Sequence, residues 1–590
     1  MSHSSRPLVP PSSFPPSRNR SLAIDPRCET RAPRAPRARG CSLVVSLSLL
    51  SIGCYHGLDQ DDAGTSPWDG PMQSGGGTGE SAAEDGGPIP TGGNDGVDES
   101  GRPADSSGAA DGLDESGGSP TEDTGEPLPP PMLPAGGISV TAVEINQGVS
   151  IPVVNDGTLI DVESRNAPLV RNRHMLVRVY WERQADFEPR LLDAVLTLDH
   201  GNDQVEELVD SRMINGPPSQ DSLDGTFSFV LEPSQVTPDM RFSVGIYEPD
   251  QTTSGSLASP LFPADGTAPL GVPDTPMQIS LTIVPYRVGN TSPNLSPEAL
   301  EEFRAHFYAM QPIEFGDDGL RLTIHPQEQS APYSDAQVVL NSVCSLWDND
   351  VSNGIVDSSE YYQSAVASNT TSGVLGVAYV LNNPNGGPRC GSNLWDTNLN
   401  QGPSTMTHEI GHNQGRPHAP CGGVANPDPG YPYSNGSIGV QGWNSMTGQL
   451  ISSAADYMSY CGRDWVSDYN YRLNAIRNAA LQTNANAFVA GAPSEPPLAV
   501  VGHQMTTGDV EWSVHRSIST LEALTPAGTA TISTVDGQNV DVTLFERELS
   551  EGSSVIGVID GIEHADDIAW IDSSVFGPAV PTAPTALLSP

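Results

Sequence analysis

One string restricts what this chain can fold into more than any other: Thr407-His408-Glu409-Ile410-Gly411-His412-Asn413-Gln414-Gly415-Arg416-Pro417-His418. His408 and His412 stand four residues apart, so on a helix both imidazoles leave one face and can bind the same ion. The helix must then stop. Gly415 can take a backbone conformation that other residues resist, and the turn it permits returns His418 toward the same point from another direction. Three neutral imidazoles suit zinc and leave one coordination position open, as a catalytic site needs. Glu409 follows the first histidine and is rotated toward the open side, where a carboxylate can take a proton from water. Five such residues at fixed offsets coincide by chance in roughly a few chains in a hundred thousand of this length. That rarity decides against a surface helix with solvated histidines.

This HExxHxxGxxH pattern resembles the zinc signature of the metzincin metalloproteases, among them the astacins, adamalysins, serralysins and matrix metalloproteases. The resemblance implies a zinc endopeptidase with His408, His412 and His418 as ligands and Glu409 as general base. Metzincins also carry a methionine turn beneath the zinc. Asp456-Tyr457-Met458-Ser459-Tyr460-Cys461 fits it, with Met458 as the turn methionine. Tyr460 matches a family tyrosine that ligates zinc or stabilises the oxyanion. The apolar residues 374–381 would supply the edge strand on which an extended substrate pairs. Gly411-His412-Asn413 and the string Trp465-Val466-Ser467-Asp468-Tyr469 are most similar to bacterial secreted proteases of the mucin-degrading type. The resemblance covers about a third of the chain and is specific only between 404 and 472.

Length and charge bound the rest. A chain of 590 residues is too long for one core and suggests about three to four domains. Its net charge is −45, and all 27 of its basic residues are arginine. Such an acidic surface repels phosphates and anionic lipid, so nucleic acid is excluded as a partner. The expected partner is an extracellular protein or glycoprotein substrate. Arg31, Arg34, Arg37 and Arg39 precede an apolar run over 41–53, too short to span a bilayer but right for the core of a signal peptide. The run ends Leu50-Ser51-Ile52-Gly53-Cys54, which resembles a bacterial lipoprotein box, with Ser51 where the family prefers leucine. Cys54 is the lipidation candidate and the one expected link to a membrane; the alternative is an ordinary cleaved signal. Secretion or cell-surface display follows from either.

The expected fold is multidomain: an α/β metzincin-like catalytic domain flanked by an N-terminal all-β sandwich and a small C-terminal β domain. Residues 1–54 form the signal, and 55–137 an acidic Gly/Pro/Ser linker too poor in apolar residues to order itself. The sandwich occupies 138–278, with strands predicted over 138–145, 174–181, 191–198, 225–232 and 241–248. The zinc domain runs over 279–490. It has a strand over 277–288, helices over 297–310, 404–414 and 467–486, and an apolar strand over 373–381. The last segment, 491–590, returns to short strands (499–505, 528–534, 540–546, 553–561) and a Pro/Ala-rich tail. Cys344, Cys390, Cys421 and Cys461 allow three disulfide pairings. Pairing 344–390 with 421–461 is favoured because each closes a local loop, and the second would tie together the two zinc-bearing segments of the resemblance. Asp348-Asn349-Asp350-Val351-Ser352-Asn353-Gly354, ending at Glu360, is a candidate calcium loop, one residue out of register with an EF-hand; a solvated acidic loop is the preferred alternative. Two other functions compete with the endopeptidase: a non-catalytic surface binding protein or adhesin, and a zinc amidase acting on cell-wall peptides.

Overall fold

The computed structural model describes residues 132–579 except 202–203, 250–258, 332–335, 368–373, 385, 396–400, 463, 489–496, 506–509, 518–520 and 522–523. The signal segment with Cys54, nearly all of the linker and the end of the tail lie outside the described residues. The protein is mostly β, with several sheets and, among the described residues, four α-helices. None of these helices is long and apolar enough to cross a membrane.

Two antiparallel sheets come first. One orders Leu133–Pro134, Arg241–Glu248, Arg190–Asp199 and Val205–Ile214; the other orders Thr158–Leu159, Ser150–Asn155, Ile138–Asn146, Met175–Arg183 and Phe227–Leu231. Ordered chain therefore begins before 138, because Leu133 and Pro134 pair with Glu248 and Tyr247. The inner faces bury Val143, Ile145, Val177, Leu196, Phe229 and Ile246. Val205–Ile214 escaped the sequence reading because Val209 and Met213 lie on its solvent side, so its alternation carries little apolar contrast.

The third sheet orders Leu320–Ile324, Ile279–Val288, Tyr361–Ala367, Cys390–Trp395 and Gly376–Ala378. The first four run parallel, and the last is an antiparallel edge. Helix α1 (Pro297–Met310) is capped by Ser296, α2 is Ala336–Ser352, α3 is Gln401–Asn413, and α4 is Asp468–Phe488. At the start of α4 the Ser467 hydroxyl accepts from Asn470 N at 3.1 Å and caps the helix. The disulfides join Cys344 to Cys390 and Cys421 to Cys461, the favoured pairing.

Two expectations are corrected here. Among the described residues of the apolar run over 373–381, only Gly376–Ala378 form a strand, because Leu381 N instead caps the His412 carbonyl of α3. The calcium loop does not exist, and neither does a solvated acidic loop. Asp348 and Asp350 lie buried on α2. Asp350 accepts from the Tyr362 hydroxyl at 2.6 Å, and Glu360 accepts from Thr282 at 2.8 Å. The apolar stripe Val339, Leu340, Val343, Leu346 and Trp347 buries this helix, and burial outweighs the poor helix propensity of its Asp, Asn and Ser.

The last sheet is antiparallel and orders Val510–Arg516, Leu498–Met505, Gly552–Ile559, Asn539–Leu549, Pro526–Thr534, Ile568–Ser573 and Gly577–Ala579. The sandwich does not stand apart from the zinc-motif region. Its core continues into Ala419, Tyr457, Met458, Trp465 and Tyr471, and the Trp465 indole donates to the Gly148 carbonyl at 2.7 Å.

Burial pushes His306 down to about 4 and His503 down to about 3. The unfolded chain takes up protons below about pH 6.5, where these two folded imidazoles do not. The contribution of these two groups to stability is therefore constant above that pH and is lost as pH drops toward 4. The urea midpoint should be lower at pH 5 than at pH 7.5, and the difference should shrink in His503→Gln; an equal slope in the variant would contradict this.

Candidate metal centre

Helix α3 places His408 and His412 one turn apart, with ring centroids 4.7 Å from each other. Their Nε2 atoms are separated by only 3.1 Å. Gly415 ends the helix at φ +85°, its N–H bonded to the His412 carbonyl at 2.7 Å. A Cβ there would meet the Leu381 carbonyl oxygen at 2.6 Å, so glycine is required for space as well as for conformation. The turn brings the His418 ring to 5.3 Å from His408 and 4.7 Å from His412. One ligand atom from each of the three lies within 4.8 Å of the others.

Each imidazole is fixed through its outer nitrogen. Nδ1 of His408, His412 and His418 donates to the carbonyls of Tyr457, Arg416 and Ala425, each at 2.7 Å. A carbonyl can only accept, so Nδ1 carries the proton and Nε2 is bare and points inward. Burial lowers all three imidazoles, His408 to about 3, and the neighbouring rings add to the effect at His408 and His412. They are thus held neutral, the form that ligates a metal.

The residues present fit a metal. His418 Nε2 and Glu409 Oε2 are both buried without a hydrogen-bond partner, and such orphans mark places where an ion and its water belong. Burial, with the Glu551 carboxylate second, raises Glu409 well above the usual carboxylate range; a cation in the triad would act in the opposite sense. Glu409 lies directly on Gly376 of the edge strand, where any Cβ would overlap its carboxylate.

The segment leading into Cys461 forms the floor. Gly411 of α3 leaves room for Met458 Sδ and the Tyr457 ring, so the fully buried Met458 packs against the helix that carries the histidines. The fully buried Asp456 carboxylate holds this turn, accepting from Met458 N at 2.8 Å, Ser467 N at 2.9 Å and Asn470 Nδ2 at 2.9 Å. Asn413 ties the end of α3 to the sheet, donating to the carbonyls of Tyr379 and Cys390. The Tyr460 ring sits 4.9 Å from His418 and 5.9 Å from His408, is 47% exposed, and donates its hydroxyl to Glu551.

His408, His412, His418, Glu409, Met458 and Tyr460 are thus brought together, with Cys421–Cys461 beside them; Cys344–Cys390 instead joins α2 to the sheet. Sequence reasoning missed Asp456, Gly376 and Glu551. Asp456 had a local signal, two residues ahead of the turn methionine; Glu551 had none.

The family described as Metallo-peptidase family M12B Reprolysin-like matches residues 321–419, a span that ends one residue after His418. No curated protein matches the chain. The family match and the triad together support a metallopeptidase, whose metal is typically zinc.

Two outcomes follow. His418→Ala should lower bound zinc from about one per chain to under a tenth in metal analysis after dialysis, with the circular dichroism spectrum unchanged; retained zinc would contradict the site. Asp456→Ala leaves three buried donors unpaired and should cost about 3 kcal/mol in urea unfolding, whereas a loss below about 1 kcal/mol would show that the turn is held by other means.

Proposed function

We propose that the protein is a secreted or surface-anchored zinc-dependent endopeptidase of the metzincin type, acting on extracellular protein or glycoprotein. One observation carries this reading. Three inward-facing imidazole nitrogens converge beside a carboxylate with an unpartnered oxygen, and that carboxylate lies against the edge strand of a mostly parallel sheet. The buried methionine beneath the triad and the left-handed glycine after α3 support the metzincin assignment. Two disulfides support an oxidising compartment; lipidation at Cys54 would supply the anchor. A mucin-type glycoprotein is the substrate suggested by the resemblance around Asn413 and Trp465.

His408, His412 and His418 would hold the zinc, which supplies Lewis acidity toward water and the scissile carbonyl. Glu409 accepts the proton released from the attacking water and returns it to the departing amine. Its burial raises its basicity, which favours taking the proton from water, and a cation held by the triad would pull in the opposite sense and ease its return. The Tyr460 hydroxyl, half-exposed at the rim, can turn from Glu551 to donate to the developing oxyanion. The edge strand supplies backbone groups to align an extended peptide. An intact Glu409 and intact ligand set weigh against a purely adhesive protein, and the pairing edge favours peptide chains over other amides.

Cleavage of casein, gelatin and mucin by the zinc-loaded chain tests the reading. Glu409→Ala should keep its zinc and lose about a thousandfold in kcat. Tyr460→Phe should lose about a hundredfold with little change in KM. Zinc binding without cleavage of any protein, in wild type and Glu409→Ala alike, would bring the binding-protein reading forward.

A further inference from the structure

The edge on which a peptide would pair is already taken by a segment of this chain. The strand Gly376–Ala378 carries Glu409 directly on its first residue, so anything paired along its outer side lies beside the triad. On that side the C-terminal sheet sends the tip of the hairpin between Asn539–Leu549 and Gly552–Ile559. Ser550 N donates to the Ala378 carbonyl at 3.0 Å, Ala378 N donates to the Ser550 hydroxyl at 3.1 Å, and Val380 N donates to the Glu548 carbonyl at 3.1 Å. Tyr379 and Leu549 form an antiparallel bridge between these contacts. The tip then carries Glu551 to the hydroxyl of Tyr460, the residue at the rim of the histidine triad.

We propose that residues 548–551 occupy the peptide-docking edge of the candidate active site as an internal stand-in for substrate, and that an extended peptide binds by displacing the tip of this turn. The proposal rests on the peptidase reading above. Three features make displacement, rather than unfolding, the way in. Two of the contacts to be exchanged are backbone–backbone hydrogen bonds and the third is a backbone N–H given to the Ser550 hydroxyl, and the backbone of an incoming peptide can replace all three. Leu549 is buried with Trp347, Tyr379 and Cys390 and anchors the hairpin while its tip moves. A polar cavity of 440 Å³, lined by Asn426, Gln504, Arg547, Glu548, Gly552 and Ser553, lies beside the tip and gives it room to withdraw without uncovering apolar core. Glu551 then releases the Tyr460 hydroxyl at the same moment that the peptide arrives. The occupied edge thus makes the free protein latent toward extended chains while leaving the metal reachable by small molecules.

Two probes separate these consequences on the zinc-loaded full chain. Acetohydroxamate needs only the metal, whereas prolyl-leucyl-glycine hydroxamate also needs the pairing edge. Ser550→Pro removes the donor to Ala378, and Glu551→Ala frees Tyr460 while leaving the backbone intact, so either variant suffices if the other fails to fold. By calorimetry, acetohydroxamate should bind wild type and variants within about threefold, and the tripeptide hydroxamate should bind the variants at least about tenfold more tightly than wild type. Equal tripeptide affinity in all three proteins, or weaker binding in the variants, would overturn the proposal and leave the metal site standing. Failure of acetohydroxamate to bind any of them, wild type included, would overturn the metal-site reading and the proposal with it.

Discussion

Three backbone carbonyls, those of Tyr457, Arg416 and Ala425, hold the three imidazoles of this protein by their outer nitrogens. Each carbonyl decides which ring nitrogen keeps the proton, and therefore which one is free to bind a metal. Each also belongs to a different stretch of chain. Arg416 lies in the turn that Gly415 permits, Ala425 in the loop after His418, and Tyr457 in the floor beneath α3. The geometry of the site is thus a property of loop backbone, and much of the surrounding structure serves to hold those loops still.

The means differ from loop to loop. Burial with three saturating donors fixes Asp456 and so fixes Tyr457 and Met458. The Cys421–Cys461 bond joins the loop after His418 to the end of the floor. The N-terminal sandwich closes the arrangement from another side. Its core runs without a break into Met458 and Trp465, and buried Arg173 donates to the carbonyls of Tyr308, Ile313 and Gln147. A β domain that looked like a mere companion in sequence is part of the support of the site. A guanidinium that also reaches the Ala309 carbonyl, and so bridges four, satisfies polar groups that a seam between two elements would otherwise strand.

What could be read from sequence was whatever local spacing dictates. His408, Glu409, His412, Gly415 and His418 lie within eleven consecutive residues, and helix geometry and one left-handed turn are enough to gather them. The helices over 297–310 and 467–486 were legible from their spacing alone, and both form. The failures have one cause: tertiary context that outweighs local composition. Residues 348–354 have the composition of a loop, yet the apolar stripe on the preceding turns makes most of them the end of a buried helix. Residues 374–381 are apolar enough for a long strand, yet Leu381 is diverted to cap α3. Glu551 stands 142 residues from Glu409 in the sequence, and no periodicity could place its carboxylate beside the base.

The account stands or falls on the metal and its ligands. X-ray absorption at the zinc K-edge of the protein as purified addresses both at once. Three nitrogen scatterers and one oxygen, all at about 2.0–2.1 Å, are the result expected from His408, His412 and His418 with one position left to solvent or substrate. Sulfur scatterers at about 2.3 Å, a fourth imidazole, or no zinc in a folded protein supplied with it would contradict the site and the activity inferred from it.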